Sequence, residues 1–463
     1  MVDLLLIKPP YYDEGGELDL TTSLEMMPPL GLGYVAAACK NFSTAIIDME
    51  AKRIKSKEIG DYIKKYNPKV VGITVMSSTV EQAKIIANEV KKISNIKIII
   101  GGPHAVLDPE SLIDIGDYIV CGDAEIMINS LLDYIIKNKG NINNIKNVAF
   151  RKGNKIIYTK KELIKDLNLL EFPKSELWDK NNYFHFFAKN KPCTSIITSR
   201  GCPYQCIYCT PIYRTLRRRS VNNVIEEIKE IILKFGIHDM EFFDETFNLP
   251  ENWVIEFCNK IKEEGIKISW RARCRPDLIS EESVKKMKEA GCYMISMGVE
   301  SANDKTLKFF NKNYTLEQIK KAIKIIKSNK IELHGYFIIG SPTESRAETY
   351  NTVNFAISQP FDYAIFSILT PQPNTPLMKI AQDNKWMLDN KVDYKKIKGY
   401  CQPTMIHPEM SQDEILKIYK NATIRFFLKP GRMFAIAKRI LFGRGIERKR
   451  VIKTMLNYIL SKK

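Results

Sequence analysis

Short apolar runs alternate with helix-like segments through the first 140 residues of the chain. The runs are rich in Val, Ile and Leu and show no strict alternation with polar residues, which is typical of strands buried on both faces of a parallel sheet. The predicted strands are Leu4–Ile7, Thr44–Asp48, Lys69–Val75, Lys97–Ile100 and Tyr118–Val120, and Val80–Ile93 is a predicted helix between two of them. This order predicts a doubly wound α/β domain over residues 1–140, with ligands outside the carboxyl ends of its strands.

A second strand–helix alternation follows a polar connection. Residues 141–190 are predicted as a linker that carries a small hairpin, Val148–Tyr158, with a Gly-Asn turn. Over residues 191–378 the predicted strands are Thr194–Thr198, Asp239–Phe243, Ile268–Arg273, Tyr293–Val299, Glu332–Ile339 and Tyr363–Leu369. Residues 379–463 are predicted to be largely helical. The chain therefore has two α/β domains in series and a helical C-terminal region.

The composition describes a globular protein, with 44% hydrophobic and 27% charged residues. No apolar run approaches the ~18 residues of a membrane span, and no signal peptide pattern is seen. Ten scattered cysteines do not form a disulfide framework, so we expect a reducing compartment and a cytoplasmic location. Of the net charge of +18, +10 lies in residues 429–463. An apolar stripe at helical spacing runs through the same region and consists of Met433, Ile436, Ala437, Ile440 and Leu441. This region is either a basic amphipathic surface that binds a membrane or a partner or, as we favour, a helical cap whose stripe packs on the second α/β domain.

Three cysteines with the spacing C-x3-C-x2-C follow the strand Thr194–Thr198. They are Cys202, Cys206 and Cys209, in a loop rich in Gly and Pro. Three thiolates can hold three irons of a cubane [4Fe–4S] cluster and leave the fourth iron open for an outside ligand. A structural zinc site would need a fourth protein ligand, and the spare thiol of Cys193 lies at the far end of the strand. The spacing therefore predicts an iron–sulfur cluster with an open iron.

This motif, with Tyr208 just before the last cysteine, resembles the radical S-adenosylmethionine (SAM) enzymes. The flanking Thr-Ser-Arg-Gly-Cys-Pro-Tyr is similar to the cobalamin-dependent branch of that superfamily. The resemblance implies a partial (β/α)6 barrel, SAM chelated by the open iron, and reductive cleavage of SAM to a 5′-deoxyadenosyl radical. It implies that Cys202, Cys206 and Cys209 ligate the cluster and that Tyr208 lies at the cofactor.

The resemblance extends to segments at the strand ends. Asp244 and Glu245 stand where the family holds the SAM amino group. Glu300 and Ser301 match the ribose-contacting segment, and Gly340 belongs to a segment similar to the adenine-side motif. The strand Ile268–Arg273 leads into three arginines on one face; Arg273 is predicted to bind the SAM carboxylate or an anionic substrate, although a solvated outward face explains the arginines equally well.

The loops of the first domain are similar to the cobalamin-binding domain of the same branch, so they are predicted to bind cobalamin. The residues concerned are Ser77, Thr79, Gly101, Gly102, Pro103, His104, Gly122 and Glu125. The D-x-H-x-x-G motif that supplies a histidine to cobalt is absent, so the resemblance implies cobalamin without a histidine ligand, and His104 is more simply explained by local hydrogen bonds. A flavodoxin-like module with another ligand or none remains an alternative.

The predicted function is methylation of an unactivated carbon of a small molecule or lipid, through a 5′-deoxyadenosyl radical and methylcobalamin. The alternative keeps both cofactors but performs cyclisation, rearrangement or oxidation. A tRNA methylthiotransferase would need three N-terminal cysteines, whereas only Cys39 and Cys121 precede Gly140. A cobalamin- or SAM-sensing protein is the non-enzymatic alternative. The expected partners are a flavodoxin or ferredoxin as low-potential electron donor and a membrane surface at the basic tail; no nucleic acid is expected.

Overall fold

Two parallel sheets organise the chain in the computed structural model, which describes residues 1–11, 25–93, 95–210, 213–388 and 400–443. The contacts divide the chain into two compact units. The first contains the N-terminal strand and residues Pro28–Tyr183, and the second contains the chain from Phe184 onwards together with the short strand Glu25–Met26. The fold class predicted from the sequence is confirmed by this arrangement.

The first unit is built on a seven-stranded sheet. Its strands are β1 (Val2–Lys8), β2 (Thr44–Asp48), β3 (Pro68–Thr74), β4 (Lys97–Gly101), β5 (Tyr118–Val120), β6 (Val148–Lys152) and β7 (Lys155–Tyr158). They lie in the order β2-β1-β3-β4-β5-β6-β7, and the first five are parallel. The chain order reverses between β1 and β3, and doubly wound sheets bind ligands at the carboxyl ends of the strands at such a point.

Helices cover both faces of this sheet. They are α1 (Leu30–Ala38), α2 (Met49–Lys52), α3 (Ile59–Tyr66), α4 (Val80–Ile93), α5 (Pro103–Leu107) and α6 (Ile128–Lys137). The predicted hairpin is present as β6 and β7, which extend the first sheet in antiparallel fashion. The segment predicted as a linker is thus folded onto the first unit as far as Tyr183, whose hydroxyl donates a hydrogen bond to Asp48 at 3.2 Å.

The second unit is built on six parallel strands that follow one another in chain order. They are β8 (Cys193–Ile196), β9 (Asp239–Phe242), β10 (Ser269–Cys274), β11 (Cys292–Glu300), β12 (Glu332–Ile339) and β13 (Tyr363–Ile368). The helices are α7 (Val221–Phe235), α8 (Glu251–Glu263), α9 (Glu281–Glu289), α10 (Asp304–Phe309), α11 (Leu316–Ser328), α12 (Arg346–Ser358), α13 (Pro376–Asp383), α14 (Gln412–Phe427) and α15 (Pro430–Phe442). This succession gives the partial (β/α)6 barrel that was expected.

One face of the second sheet is covered by helices and the other is concave. Trp270 and Ala272 of β10 pack in the large apolar core with the helices. Because side chains alternate across a strand, Arg271 and Arg273 lie on the concave face. Arg271 is buried there, so the interpretation of the arginines as a solvated outward face is wrong.

Only part of the predicted C-terminal stripe is packed. Ile436 of α15 is buried and Ile440 packs beside it, whereas Met433 and Leu441 are exposed. The basic residues and the second stripe beyond Gly443 lie outside the described residues. Among the helices that the structure describes, none combines the length and the apolar character needed to cross a membrane.

Candidate active site

The cysteine loop begins directly after β8, at the carboxyl end of the barrel. The short strand Ser199–Arg200 pairs with Arg217–Arg218 and leads the chain to Gly201. Gly201 has φ of +91°, and a Cβ atom added to it would lie 2.3 Å from the carbonyl oxygen of Thr215. Only glycine fits this turn, which delivers Cys202 to the loop.

The three cysteines of the loop lie close enough to influence one another. Although part of Cys209 is exposed, the protein packed around its thiol raises its pKa to about 12, and the neighbouring sulfurs of Cys206 and Cys202 add to the rise. Several thiolates crowded in such a place are unfavourable without a cation, and metal ions relieve that penalty by coordinating sulfur. The donor set therefore fits an iron–sulfur cluster.

The two adjacent carboxylates at the end of β9 have different environments. Asp244 is fully buried and accepts four hydrogen bonds, from the backbone N–H and hydroxyl groups of Thr198 and Ser199, at 2.6–2.9 Å. Glu245 is exposed and accepts a hydrogen bond from the Gly201 N–H at 3.2 Å. Asp244 thus holds the segment that precedes the cysteines, and Glu245 is the carboxylate of the pair that remains accessible to an ammonium group.

Glu300 lies in a buried ion pair next to the cysteine loop. Its carboxylate is 2.9 Å from the Lys312 ammonium, which also donates to the Tyr208 hydroxyl at 3.1 Å. Burial disfavours the charge on Lys312, but Glu300 and Tyr208 hold its pKa well above its usual value. Glu300 also has a left-handed backbone with φ of 65°, a conformation that costs free energy in a non-glycine residue and is common at functional sites.

Ser301 and Gly340, which were also predicted to contact SAM, make packing contacts at the ends of their strands. The Ser301 hydroxyl donates to Glu344 at 2.6 Å and lies 3.2 Å from the Thr352 hydroxyl, all three being buried. Gly340 has φ of +82° and lies against Ile415, where an added Cβ would approach to 3.3 Å. Both residues end their strands near the carboxyl edge of the sheet, which is the edge that carries the cysteine loop.

Arg273 belongs to a polar group of which the sequence analysis identified only the arginines. We call this group the concave cluster: Glu25, His185, Glu241, Arg271, Arg273, His334 and Tyr336. Glu241 pairs with both arginines, directly with Arg271 and at 3.4 Å with Arg273. The signal in the sequence was a polar residue at every second position of β9, β10 and β12. Glu25 and His185 come from short strands remote in the chain and had no signal.

Three members of the concave cluster, Glu25, His185 and Glu241, lie close enough to suggest a metal site. The hydrogen bonds of His185 argue against it. Its Nδ1 accepts the Phe187 backbone N–H at 2.9 Å, so in the neutral ring the proton is on Nε2, which faces Glu25 at 2.7 Å. Nε2 then has no lone pair for a cation, and Arg271 contributes positive charge at the same place.

The predicted cobalamin loops follow β3, β4 and β5 in the first unit. His104 is fully buried, and its ring nitrogens lie 3.0 Å from the hydroxyls of Ser77 and Ser111. The Thr79 hydroxyl accepts the Met76 backbone N–H and donates to the Met76 carbonyl, within the short turn that precedes α4. The imidazole therefore ties two loops together and presents no exposed face to a ligand, as expected for local hydrogen bonding.

The glycines of these loops differ in how much space surrounds them. A Cβ on Gly102 (φ +98°) would lie 2.6 Å from the Thr74 hydroxyl, and one on Gly122 would lie 2.7 Å from Asn147. Gly101 has only Val120 nearby, at 3.8 Å. Pro103, at the start of α5, and Glu125, before α6, complete the edge; Pro103 is exposed and Glu125 is half-buried.

Replacing Gly102 by Ala is expected to lower the free energy of unfolding by about 2 kcal/mol or more, since it combines a left-handed backbone with a steric clash. Gly101→Ala is the matched control, with an expected change below about 1 kcal/mol. Chemical denaturation of the two variants measures the difference. Equal stability of the two variants would contradict the described loop geometry.

The burial of His104 predicts a dependence of stability on pH. Burial, more than any charge nearby, lowers the pKa of His104 from 6.5 to about 4, so the unfolded chain binds a proton between these values that the folded chain does not. Stability is therefore fully present above pH 6.5 and falls as the pH decreases towards 4, by on the order of 3 kcal/mol. In His104→Gln, the free energy of unfolding measured by chemical denaturation should fall less between pH 6.5 and pH 4 than it does in the wild type. An equally steep fall in the variant would contradict the role of His104.

Comparison with known proteins agrees with the two-unit architecture. A model of the radical SAM superfamily matches residues 196–356, and a model of the B12 binding domain matches residues 17–132. An uncharacterized methyltransferase of Pyrococcus horikoshii is 32% identical, over 98% of this chain and 98% of its own length. The chain belongs to the cobalamin-binding radical SAM family. The [4Fe–4S] cluster, SAM and cobalamin are therefore its cofactors, as predicted.

Two further relatives of this radical SAM enzyme indicate the range of the family. The anaerobic magnesium-protoporphyrin IX monomethyl ester cyclase of Cereibacter sphaeroides is 25% identical, over 95% of this chain and 74% of its own length. TsrM from Kitasatospora setae, a radical SAM methyltransferase solved with cobalamin and a [4Fe–4S] cluster, shares the fold, with a TM-score of 0.73, 14% identity and 99% coverage of both chains. The 32% identical relative is named a methyltransferase, which favours the predicted methyl transfer over cyclisation.

Proposed function

We propose that this radical SAM enzyme methylates an unactivated carbon atom of a small molecule or lipid. The observation that carries the proposal is the C-x3-C-x2-C loop, set by Gly201 and Asp244 at the carboxyl end of a partial barrel, in one chain with a B12-binding domain. When bound, the cluster and SAM supply a radical that removes hydrogen from carbon, and cobalamin supplies the methyl group.

In the second unit, Cys202, Cys206 and Cys209 would hold the cluster. Glu245 would receive the SAM ammonium, since its carboxylate is accessible and lies at the turn that begins the cysteine loop. Glu300 would orient the ribose hydroxyls, with Lys312 balancing its charge. Tyr208 stays protonated, because burial and then Glu300 raise its pKa, and its ring packs edge-on against Phe310 at 5.2 Å beside the loop.

In the first unit, the loops after β3, β4 and β5 would hold cobalamin. Gly101 is open to an approaching ligand, and Ser77 and Glu125 have polar side chains at the same edge. The prediction that Thr79 contacts the cofactor is not supported, because its side chain is buried and its hydroxyl bonds the Met76 backbone. His104 would act indirectly, by fixing Ser77. No other histidine of the first unit is present in the sequence, which agrees with cobalamin bound without a histidine on cobalt.

A low-potential protein such as flavodoxin or ferredoxin would supply the electron. A membrane surface is a further candidate partner, since Phe434 and Phe442 of α15 are exposed beside Lys438. This surface precedes the basic residues that lie outside the described part of the chain.

The test uses full-length protein reconstituted without oxygen and supplied with SAM, cobalamin, a strong reductant and a metabolite extract. Mass spectrometry should show 5′-deoxyadenosine, S-adenosylhomocysteine and one extract species heavier by a single methylene unit. A product that loses hydrogens, without S-adenosylhomocysteine, would instead support the cyclisation or oxidation alternative. Absence of 5′-deoxyadenosine would contradict radical chemistry altogether.

A further inference from the structure

The concave cluster contains one guanidinium that is only loosely paired and partly exposed. Glu241 and Arg271 form a buried ion pair, with side chains only 5% and 6% exposed. Arg273 lies 3.4 Å from the same carboxylate, at the long end of hydrogen-bond distance, and Glu25 adds a second negative charge to the cluster. Arg273 is the accessible member, because 33% of its side chain is exposed. The Arg273 guanidinium is therefore the cation of this cluster that a ligand on the concave face can reach.

The surroundings of Arg273 hold its guanidinium ready for an anion. The group stacks on the ring of Phe243, 4.0 Å from the ring centroid, which fixes its plane. Its Nε is buried and has no hydrogen-bond partner among the residues that the structure describes. The Tyr336 hydroxyl lies beside it and stays protonated, because burial raises its pKa. The planar Arg273 guanidinium and the Tyr336 hydroxyl beside it can both donate hydrogen bonds, and such a pair of groups is suited to bind a carboxylate or phosphate-type oxyanion.

The same cluster contains a second carboxylate, which is more accessible than Glu241. The Glu25 side chain is 40% exposed and accepts the Nε2–H of His185 at 2.7 Å. Burial and the neighbouring Arg271 hold the pKa of His185 well below its usual value, so the ring is neutral and does not cancel the charge of Glu25. His334, packed on Tyr336, has a buried Nε2 with no partner in the described part of the chain.

We propose that the concave cluster binds the substrate at two ends, an oxyanion at Arg273 and a hydrogen-bond donor, ammonium or hydroxyl, at Glu25. The substrate class is a bipolar small molecule, of which a free amino acid is the simplest example. An uncharged lipid would remove water from both groups without offering either of them a new partner, which is costly. This inference rests on the proposed function and narrows its substrate.

The test measures weak binding of small probes to the anaerobically reconstituted full chain by saturation-transfer NMR, with SAM at saturation. The probes are L-alanine, propionate, methylphosphonate and isopropylamine. Arg273→Met should weaken propionate and methylphosphonate binding about tenfold or more. Glu25→Gln should weaken the binding of isopropylamine and leave the binding of propionate unchanged. The binding of L-alanine should be weakened by each of the two substitutions. The ratio of propionate to methylphosphonate affinity identifies the oxyanion.

Arg425→Met, on the exposed face of α14, is the matched control and should bind all four probes as the wild type does. If Arg273→Met does not fold, Arg273→Lys replaces it, because loss of the planar fork should still weaken propionate several-fold. Wild-type affinity in the Arg273 variant overturns the inference. So does loss of propionate binding when SAM is added to the wild type, since Arg273 would then hold the SAM carboxylate. Formation of 5′-deoxyadenosine, measured separately, decides the proposed function.

Discussion

Replacing Cys206 by Ala is expected to abolish iron–sulfur absorbance and to lower SAM cleavage by about three orders of magnitude or more. Cys206 is the most buried of the three loop cysteines, and without its sulfur two ligands cannot hold a cubane cluster. Iron content, the visible spectrum and 5′-deoxyadenosine yield measure the effect after anaerobic reconstitution.

Cys401→Ala is the control for this substitution. Cys401 lies outside the loop, where its sulfur accepts a hydrogen bond from the Tyr419 hydroxyl at 3.0 Å. Its loss should cost about 1 kcal/mol of stability and leave the cluster intact. Full SAM cleavage by Cys206→Ala would contradict the assignment of the cluster to this loop, whatever its effect on cobalamin binding.

The second large effect is expected at Asp244. Asp244→Asn removes the charge and leaves one side-chain oxygen to serve four buried donors, so we expect the free energy of unfolding to fall by about 3 kcal/mol. The cysteine loop should lose its position at the same time, with less iron bound per chain. Urea denaturation and iron analysis measure the two effects.

The neighbouring Glu245→Gln provides the matched control, because this side chain is exposed and accepts one backbone hydrogen bond. Its stability should change by less than about 0.5 kcal/mol. Its SAM affinity should fall if it receives the SAM ammonium. Equal destabilisation by the two substitutions would show that Asp244 does not carry the buried contacts described here.

The strands were predictable because burial on both faces leaves a continuous apolar run. The hairpin at Val148–Tyr158 had both strand runs and a Gly-Asn turn, and both strands are present. The cysteine loop was equally clear, since its spacing is local in the chain. These features are determined by residues that are close together in the chain, and a local sequence pattern can therefore predict them.

The contacts that complete the site were not predictable, because they join residues distant in the chain. Asp244 meets donors 45 and 46 residues earlier, so sequence alone could not tell its structural position from that of Glu245. The pairing of Glu25 with His185 depends on two short strands without an apolar pattern. The burial of Arg271 depends on the curvature of the sheet, which alternation along one strand does not specify.

The attachment of Asp244 to Thr198 and Ser199 means that protein groups fix the chain just before the first turn of the cysteine loop. The start of the loop is therefore positioned by the protein itself, before iron is bound. Chains purified in air should remain folded and should accept iron and sulfide afterwards without a denaturation step. Oxidative damage to the cluster would then be repairable by adding iron and sulfide, with no need to unfold the chain.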